Sequence, residues 1–277
     1  MALPTARMKF TPQIHTSNMD QRARFSILLQ GESGSGKTHF MMTCPSPLVL
    51  VWDLNLATHH KFDGMPYVVV KSWAEMEDFW LDAIKQRRLT EVVQGFQRPD
   101  GTKPFGTYRV ETLCLDTLTG LGNQIQMELS EGHAKLGSRD KWDEYYSRFH
   151  RLLDAAVGAT SVDNAHPERE VYYVVAGIHE EPIYESQGES KRLIGYKPTI
   201  AGKMANSGQI YTNFSTHLFM ETVETMQGTS KVSRHQMRTR SFGLRRVMSD
   251  KVAGTRWKEL PETLPNTWPD LIKAWGM

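Results

Sequence analysis

The chain of 277 residues is poor in the features that mark specialised protein classes. It has only two cysteines, Cys44 and Cys114, each in apolar surroundings and without metal-ligand spacing. This excludes a disulfide scaffold, and two isolated thiols suit a reducing cytoplasm. No apolar run extends beyond a few residues, far short of the roughly 20 needed to span a bilayer, so no integral membrane protein is expected. Residues 1–13 carry neither a continuous apolar stretch nor a small-residue cleavage site, and no secretory leader is expected. Internal repeats and low-complexity tracts are absent from the sequence. So is a charge excess: 33 Lys and Arg against 31 Asp and Glu leave a net +2. Taken alone, that balance argues against a strongly electrostatic nucleic-acid binder. What is present is an ordinary globular composition, 39% hydrophobic and 23% charged, suited to one large domain.

Residues 1–24 show no helical or strand period and read as a mobile arm. Phe25 to Gln30 is a short apolar run ending at Gly31, the pattern of a buried parallel strand. A Gly-rich turn and a short helix follow, stopped by Pro45 and Pro47. Leu48 to Trp52 predicts a second buried strand ending at Asp53, and Tyr67 to Val70 a third. Ser72 and Glu75 form a capping box that opens a helix expected to run to about Leu89. Further strands are expected over Glu111–Leu115 and Val171–Ile178, ending at Asp116 and His179. Helices are expected up to Leu129 and over Trp142–Val157. The stretch 180–213 is polar, Gly-rich and partly basic, and reads as a long functional loop. Alternating residues from Thr216 onward predict antiparallel strands. A short amphipathic helix closes the chain.

Strands alternating with helices imply a mainly parallel α/β sheet with right-handed crossovers. Ligands bind beyond the carboxyl ends of such strands, and four features converge on that edge: Gly31–Thr38, Asp53, Asp116 and His179. Gly31, Glu32, Ser33, Gly34, Ser35, Gly36, Lys37 and Thr38 match G-x-x-x-x-G-K-[ST] in full. The glycines let backbone N–H groups curl around phosphates, Lys37 reaches the terminal phosphates, and the Thr38 hydroxyl is a Mg²⁺ ligand. Asp116 ends a strand where it would hold the same Mg²⁺. His179 is placed to sense the terminal phosphate or to polarise an attacking water. Residues 231–258 hold nine Lys and Arg against Asp250 alone, which leaves the rest of the chain with 24 basic and 30 acidic residues. Such a run is either a solvated face or part of a phosphate-facing surface.

Together these motifs resemble the RecA/RadA recombinase core, in particular the phage-encoded RecA-like ATPases associated with single-strand annealing (the Sak group). GESGSGKTH, LVLVWD, LCLDTLTGL, VVAGIHE and DKVAGTRWKELP carry the resemblance. It implies a RecA-like P-loop core over residues 25–265, a mainly parallel twisted sheet flanked by helices with C-terminal antiparallel strands, and a helical tail over 266–277. The implied function is DNA-dependent ATP hydrolysis with Mg²⁺, coupled to single-stranded DNA binding and annealing or pairing. The implied assembly is a homo-oligomer, filament or ring, with ATP at subunit interfaces, in the cytoplasm of a phage-infected host and in some cases with a single-strand DNA-binding protein. Lys251 and Arg256 would then act on the ATP of the neighbouring subunit. DNA would meet two loops, one with Lys135, Arg139 and Lys141, the other with Lys191, Arg192, Lys197 and Lys203. One departure stands out: where the family has a water-orienting Glu two residues beyond Asp53, this chain has Asn55. An amide orients water but accepts no proton, so either Asp53 substitutes or turnover is slow. Two other readings stay open, a P-loop kinase or phosphotransferase and an ATP-locked structural adaptor.

Overall fold

The computed structural model describes residues 24–52, 64–131, 136–161, 171–187, 190–202, 209–227, 230–245 and 261–276. Asp53, Asn55, Lys135, Lys203, Lys251, Arg256 and all of the N-terminal arm except Arg24 lie outside them. Arg24 itself is anchored: its guanidinium donates to the carbonyls of Thr160 and Ser161, 3.2 Å each, and lies over the Tyr172 ring.

The parallel sheet is formed by β1 (Phe25–Gly31), β2 (Pro47–Val51), β3 (Tyr67–Val69), β4 (Thr112–Asp116), β5 (Tyr173–Gln187) and β7 (Thr216–Gln227). Their order is β3-β2-β4-β5-β1-β7, and every neighbouring pair is parallel. β8 (Ser230–Arg238) then pairs antiparallel with β7, and β9 (Thr263–Pro265) with β8. This is a mixed α/β architecture with a mainly parallel sheet, and it carries the antiparallel C-terminal strands that the alternation after Thr216 predicts.

The central strands are apolar at nearly every position because both sheet faces are covered. Leu28, Leu48, Leu50, Leu113, Leu115 and Val174 point into one core. Helices α5 (Leu118–Leu129) and α6 (Arg139–Ala159) close it, through Leu121, Ile125, Tyr145, Phe149 and Leu152. Their alternate neighbours Ile27, Leu29, Val49, Val51, Cys114 and Val175 point into a second core. That face is covered by α1 (Lys37–Met42) and by the tail helix Trp268–Ala274. Trp268 sits in an aromatic cluster, 5.4 Å from Phe25, 4.6 Å from Tyr173 and 6.1 Å from Phe40 between ring centroids. Thr267 caps the tail helix through its side chain, and the Trp268 N–H donates to Thr43 Oγ1 at the end of α1.

Three expectations need correction. The helix opened by Ser72 is α2 (Trp73–Glu75), which passes through a π-helical segment, Met76–Trp80, into α3 (Leu81–Lys85). It stops short of Leu89, where α4 (Leu89–Gly95) begins. Ser72 does accept from the Glu75 N–H, but the Glu75 carboxylate reaches back to Lys71 N rather than to Ser72. Second, α6 begins at Arg139, with Ser138 as its cap, so Arg139 and Lys141 belong to a helical first turn and not to a loop. Third, β5 does not end at His179. It continues to Gln187 and pairs antiparallel with β6 (Ser190–Pro198), and the short helix α7 (Gln209–Thr212) follows. The region read as one long loop therefore holds a hairpin. In this extension β5 pairs with β6 alone, and an edge position of that kind tolerates Pro182.

Candidate nucleotide site

The P-loop leaves β1 at Gly31 and turns into α1 through two glycines with left-handed backbone, Gly34 (φ 78°) and Gly36 (φ 92°). Gly36 has a second reason to be glycine: a Cβ there would lie 2.3 Å from Asn266 Nδ2 and 2.8 Å from the His235 ring. Asn266 Nδ2 also donates to the Gly36 carbonyl at 2.8 Å, tying the segment before the tail helix to the loop. On its other side the loop meets β7, where Thr222 Oγ1 donates to the Gly34 carbonyl at 3.3 Å and contacts His235 Nδ1 at 3.1 Å.

Lys37 is buried, and its ammonium donates to the Gly31 carbonyl (2.9 Å), the Glu32 carbonyl (2.8 Å) and Ser35 Oγ (3.3 Å). Burial pulls its pKa down to about 8, against the opposing pull of Asp116, Glu180 and Glu32. Anionic phosphate is the ligand that favours the charged form of such a lysine. The Thr38 hydroxyl donates to Asp116 Oδ2 at 2.8 Å, so the two expected Mg²⁺ ligands face each other. This donor set fits nucleoside triphosphate with Mg²⁺: a ring of backbone groups, one ammonium, and a hydroxyl and carboxylate in contact. When bound, the metal would neutralise phosphate charge. Thr38 and Asp116 would hold it, while Lys37 binds and orients the phosphates. Among the described residues, no group of three or more His, Cys, Asp or Glu side chains forms a separate metal site.

His179 pairs in register with Gly31, which sets it beside the root of the P-loop, and its backbone N–H donates to Thr119 Oγ1 at 2.9 Å. Burial and then the charge of Lys37 lower its pKa to about 4. The ring is neutral at neutral pH and can offer one N–H and one lone pair, but no positive charge. His217, buried between Tyr211 and Phe219, is pushed down to about 3 by burial. Both folded-state values lie below the ordinary 6.5, so the unfolded chain binds more protons between these values and 6.5. The stability these rings contribute is present above pH 6.5 and lost as pH falls toward 4. The urea midpoint is expected to drop between pH 6.5 and 5, and His217→Phe, which keeps the aromatic stack, is expected to lessen the drop. An equal pH dependence in both proteins would refute the assignment to His217.

Glu180, next along β5, is nearly inaccessible, with 1% of its side chain exposed. Its Oε2 accepts from Gln30 Nε2 (3.2 Å), and Tyr211 OH donates to Gln30 Oε1 (2.8 Å). Its Oε1 accepts from Arg245 Nε (2.8 Å) and Nη2 (2.5 Å). Sequence reasoning did not single out Gln30, and it noted Arg245 only as a member of the basic run 231–258. The signal for Gln30 was available, since it is a long polar side chain in a buried, mostly apolar central strand.

The remaining predicted residues separate. Lys191 and Arg192 are exposed on β6, while Lys197 pairs with Glu181 at 3.0 Å. Arg139 lies 3.7 Å from Asp143, and Lys141 3.0 Å from Glu131. Within the basic run, Lys231 pairs with Glu224, Arg238 with Glu221 and Glu262, and Arg245 with Glu180. These three cations are matched by acids from other segments rather than forming a one-sided surface. No helix among the described residues is long and apolar enough to cross a membrane.

None of the curated proteins matches the sequence. Among solved structures, the flagellar accessory protein FlaH from Methanocaldococcus jannaschii is 10% identical, with 87% of this chain and 85% of that one covered and a TM-score of 0.35. A prototypical ATPase from the type III secretion system of pathogenic bacteria is 12% identical, with 71% and 52% covered and a TM-score of 0.40. Residues 23–247 match the AAA_24 family, described as an AAA domain, and this span runs from the start of β1 past Arg245. With the P-loop, Asp116 and His179 all inside the matched span, the chain belongs to the AAA_24 family of P-loop ATPase domains.

Proposed function

We propose that this protein is an ATP-dependent, RecA-like DNA-binding ATPase that assembles on single-stranded DNA as a homo-oligomer and promotes annealing or pairing. The observation that carries the reading is the path of β5. One strand bears His179 beside Gly31 and continues without a break into the β5–β6 hairpin, which presents Lys191, Arg192 and Tyr184 to solvent. Cations for the backbone and an aromatic face for a base are what single-stranded nucleic acid requires. Phosphate occupancy at the root of the strand would thereby bias the hairpin, and nucleic acid at the hairpin would bias the root.

Lys37, Thr38 and Asp116 hold the phosphates and Mg²⁺, and His179 reads the terminal phosphate as a neutral donor. Lys251 and Arg256 complete the site of the next subunit. With Asn55 in place of a glutamate, either Asp53 takes over from it or hydrolysis is slow and ATP serves largely as an assembly ligand. Electron microscopy with single-stranded DNA and a non-hydrolysable ATP analogue is expected to show rings or filaments, and dispersed monomers would count against the reading. DNA affinity is expected to fall steeply with salt. Lys191→Glu combined with Arg192→Glu is expected to weaken it by about tenfold or more at 0.1 M salt, measured by fluorescence anisotropy. Unchanged anisotropy would remove the hairpin from the interface.

A further inference from the structure

Arg245 stands apart from the other cations of the basic run because of where its guanidinium lies. It bridges two segments that are far apart in sequence and both border the P-loop lysine. Nη2 is 3.5 Å from Glu32 Oε1 within the P-loop and 2.5 Å from Glu180 Oε1, one residue beyond His179. Glu32 and Glu180 are also two of the three carboxylates whose charge acts on Lys37. The guanidinium and the ammonium thus share the same acidic neighbours at the mouth of the loop.

Resting on the nucleotide-site reading above, we infer that Arg245 is a second phosphate-binding cation, supplied by the same chain, that contacts the terminal phosphate of the bound nucleotide. A guanidinium has five N–H donors in a planar fork. The bonds to Glu180 and the approach to Glu32 engage Nε and Nη2, so capacity for phosphate oxygens remains. The plane of the fork is fixed from below by Tyr196 of β6, whose ring centroid is 3.7 Å from the guanidinium carbon. It is flanked by Phe242, 5.3 Å away. The Arg245 side chain keeps 19% of its surface exposed while Glu180 keeps 1%, so the cation retains access from solvent and the carboxylate does not. Glu180 holds the fork in place, Gln30 holds Glu180, and Tyr211 in turn holds Gln30. Phosphate contact at Arg245 is felt by the hairpin through Tyr196.

A buried ion pair of this kind would also stabilise the fold, and the test separates the two roles. ATP and ADP affinities are measured by titration calorimetry, and melting temperatures without nucleotide, for the wild type, Arg245→Met, and the double variant Arg245→Met/Glu180→Gln. The single variant is expected to melt lower because Glu180 is left buried without its counter-charge. The double variant, with both charges removed, is expected to regain most of that loss. In both variants the preference for ATP over ADP is expected to fall by about tenfold or more, with ADP affinity little changed. If the preference returns together with the melting temperature in the double variant, Arg245 is structural and the inference fails. A wild type that binds ATP but shows no preference over ADP also overturns it. If the wild type binds neither nucleotide, the reading of the site as a nucleotide site falls first.

Discussion

Lys37→Ala is expected to abolish ATP-dependent DNA binding and to lower any ATP hydrolysis by about 10²–10³-fold, the usual cost of removing a donor from a charge-stabilising site. The ammonium is buried and bonded to Gly31 O, Glu32 O and Ser35 Oγ, so the change also removes the tie that holds the loop closed on itself. Lys37→Met, which keeps the apolar stem, is expected to fold like the wild type and to be equally inactive. Circular dichroism beside nucleotide binding by calorimetry checks this. Wild-type ATP affinity in either variant would mean that the phosphates are held elsewhere. DNA binding that persists without regard to nucleotide would break the link between the P-loop and the hairpin.

Trp268→Ala is expected to cost about 3–5 kcal/mol of stability, read from the urea midpoint. The ring packs against Phe25, Tyr173 and Phe40, so its removal leaves a void of indole size beneath the sheet. The consequence is functional as well. The tail helix is fastened to α1 by the Trp268 N–H on Thr43 Oγ1 and, two residues earlier, by Asn266 on the Gly36 carbonyl. Loss of the aromatic anchor therefore loosens the P-loop from behind, and ATP affinity is expected to fall with stability. Trp275→Ala, at the end of the same helix and 4.7 Å from Phe25, is expected to reduce stability while affecting ATP affinity less. Equal effects of the two variants on affinity would show that the tail acts as a single block.

The parts of this arrangement legible in the sequence are those where local chemistry and tertiary role coincide. Phe25–Gly31, Pro47–Val51 and Thr112–Asp116 are buried on both faces, so each reads as a mostly apolar run. The P-loop is legible because phosphate binding is done by its own backbone, and the backbone geometry demands glycine at Gly36. The extension of β5 was not legible. Residues 179–187 show no apolar alternation and include Pro182, because this stretch has one partner strand and no core beneath it. Nor was the Glu180–Arg245 pair, whose members are 65 residues apart and whose charges each have an innocent local reading. The partners of Arg238 are hidden for the same reason: its acids come from β7 and from the segment before β9, which proximity in sequence cannot reveal. The π-helical turn at Met76–Trp80 left no mark on the capping box that opens its helix.

The unbroken run of β5 also sets a length scale. At about 3.3 Å per residue, the eight steps from His179 to Gln187 carry the end of the strand roughly 26 Å from the level of the P-loop. A strand that, among the described residues, has β6 as its one strand partner beyond His179 behaves as a lever whose short arm is clamped in the sheet between β1 and β4. A rotation of about 5° at the clamp moves the far end by about 2 Å, enough to make or break a hydrogen bond. Small adjustments at the clamped end of β5 are therefore multiplied at its far end, with no rearrangement of the core.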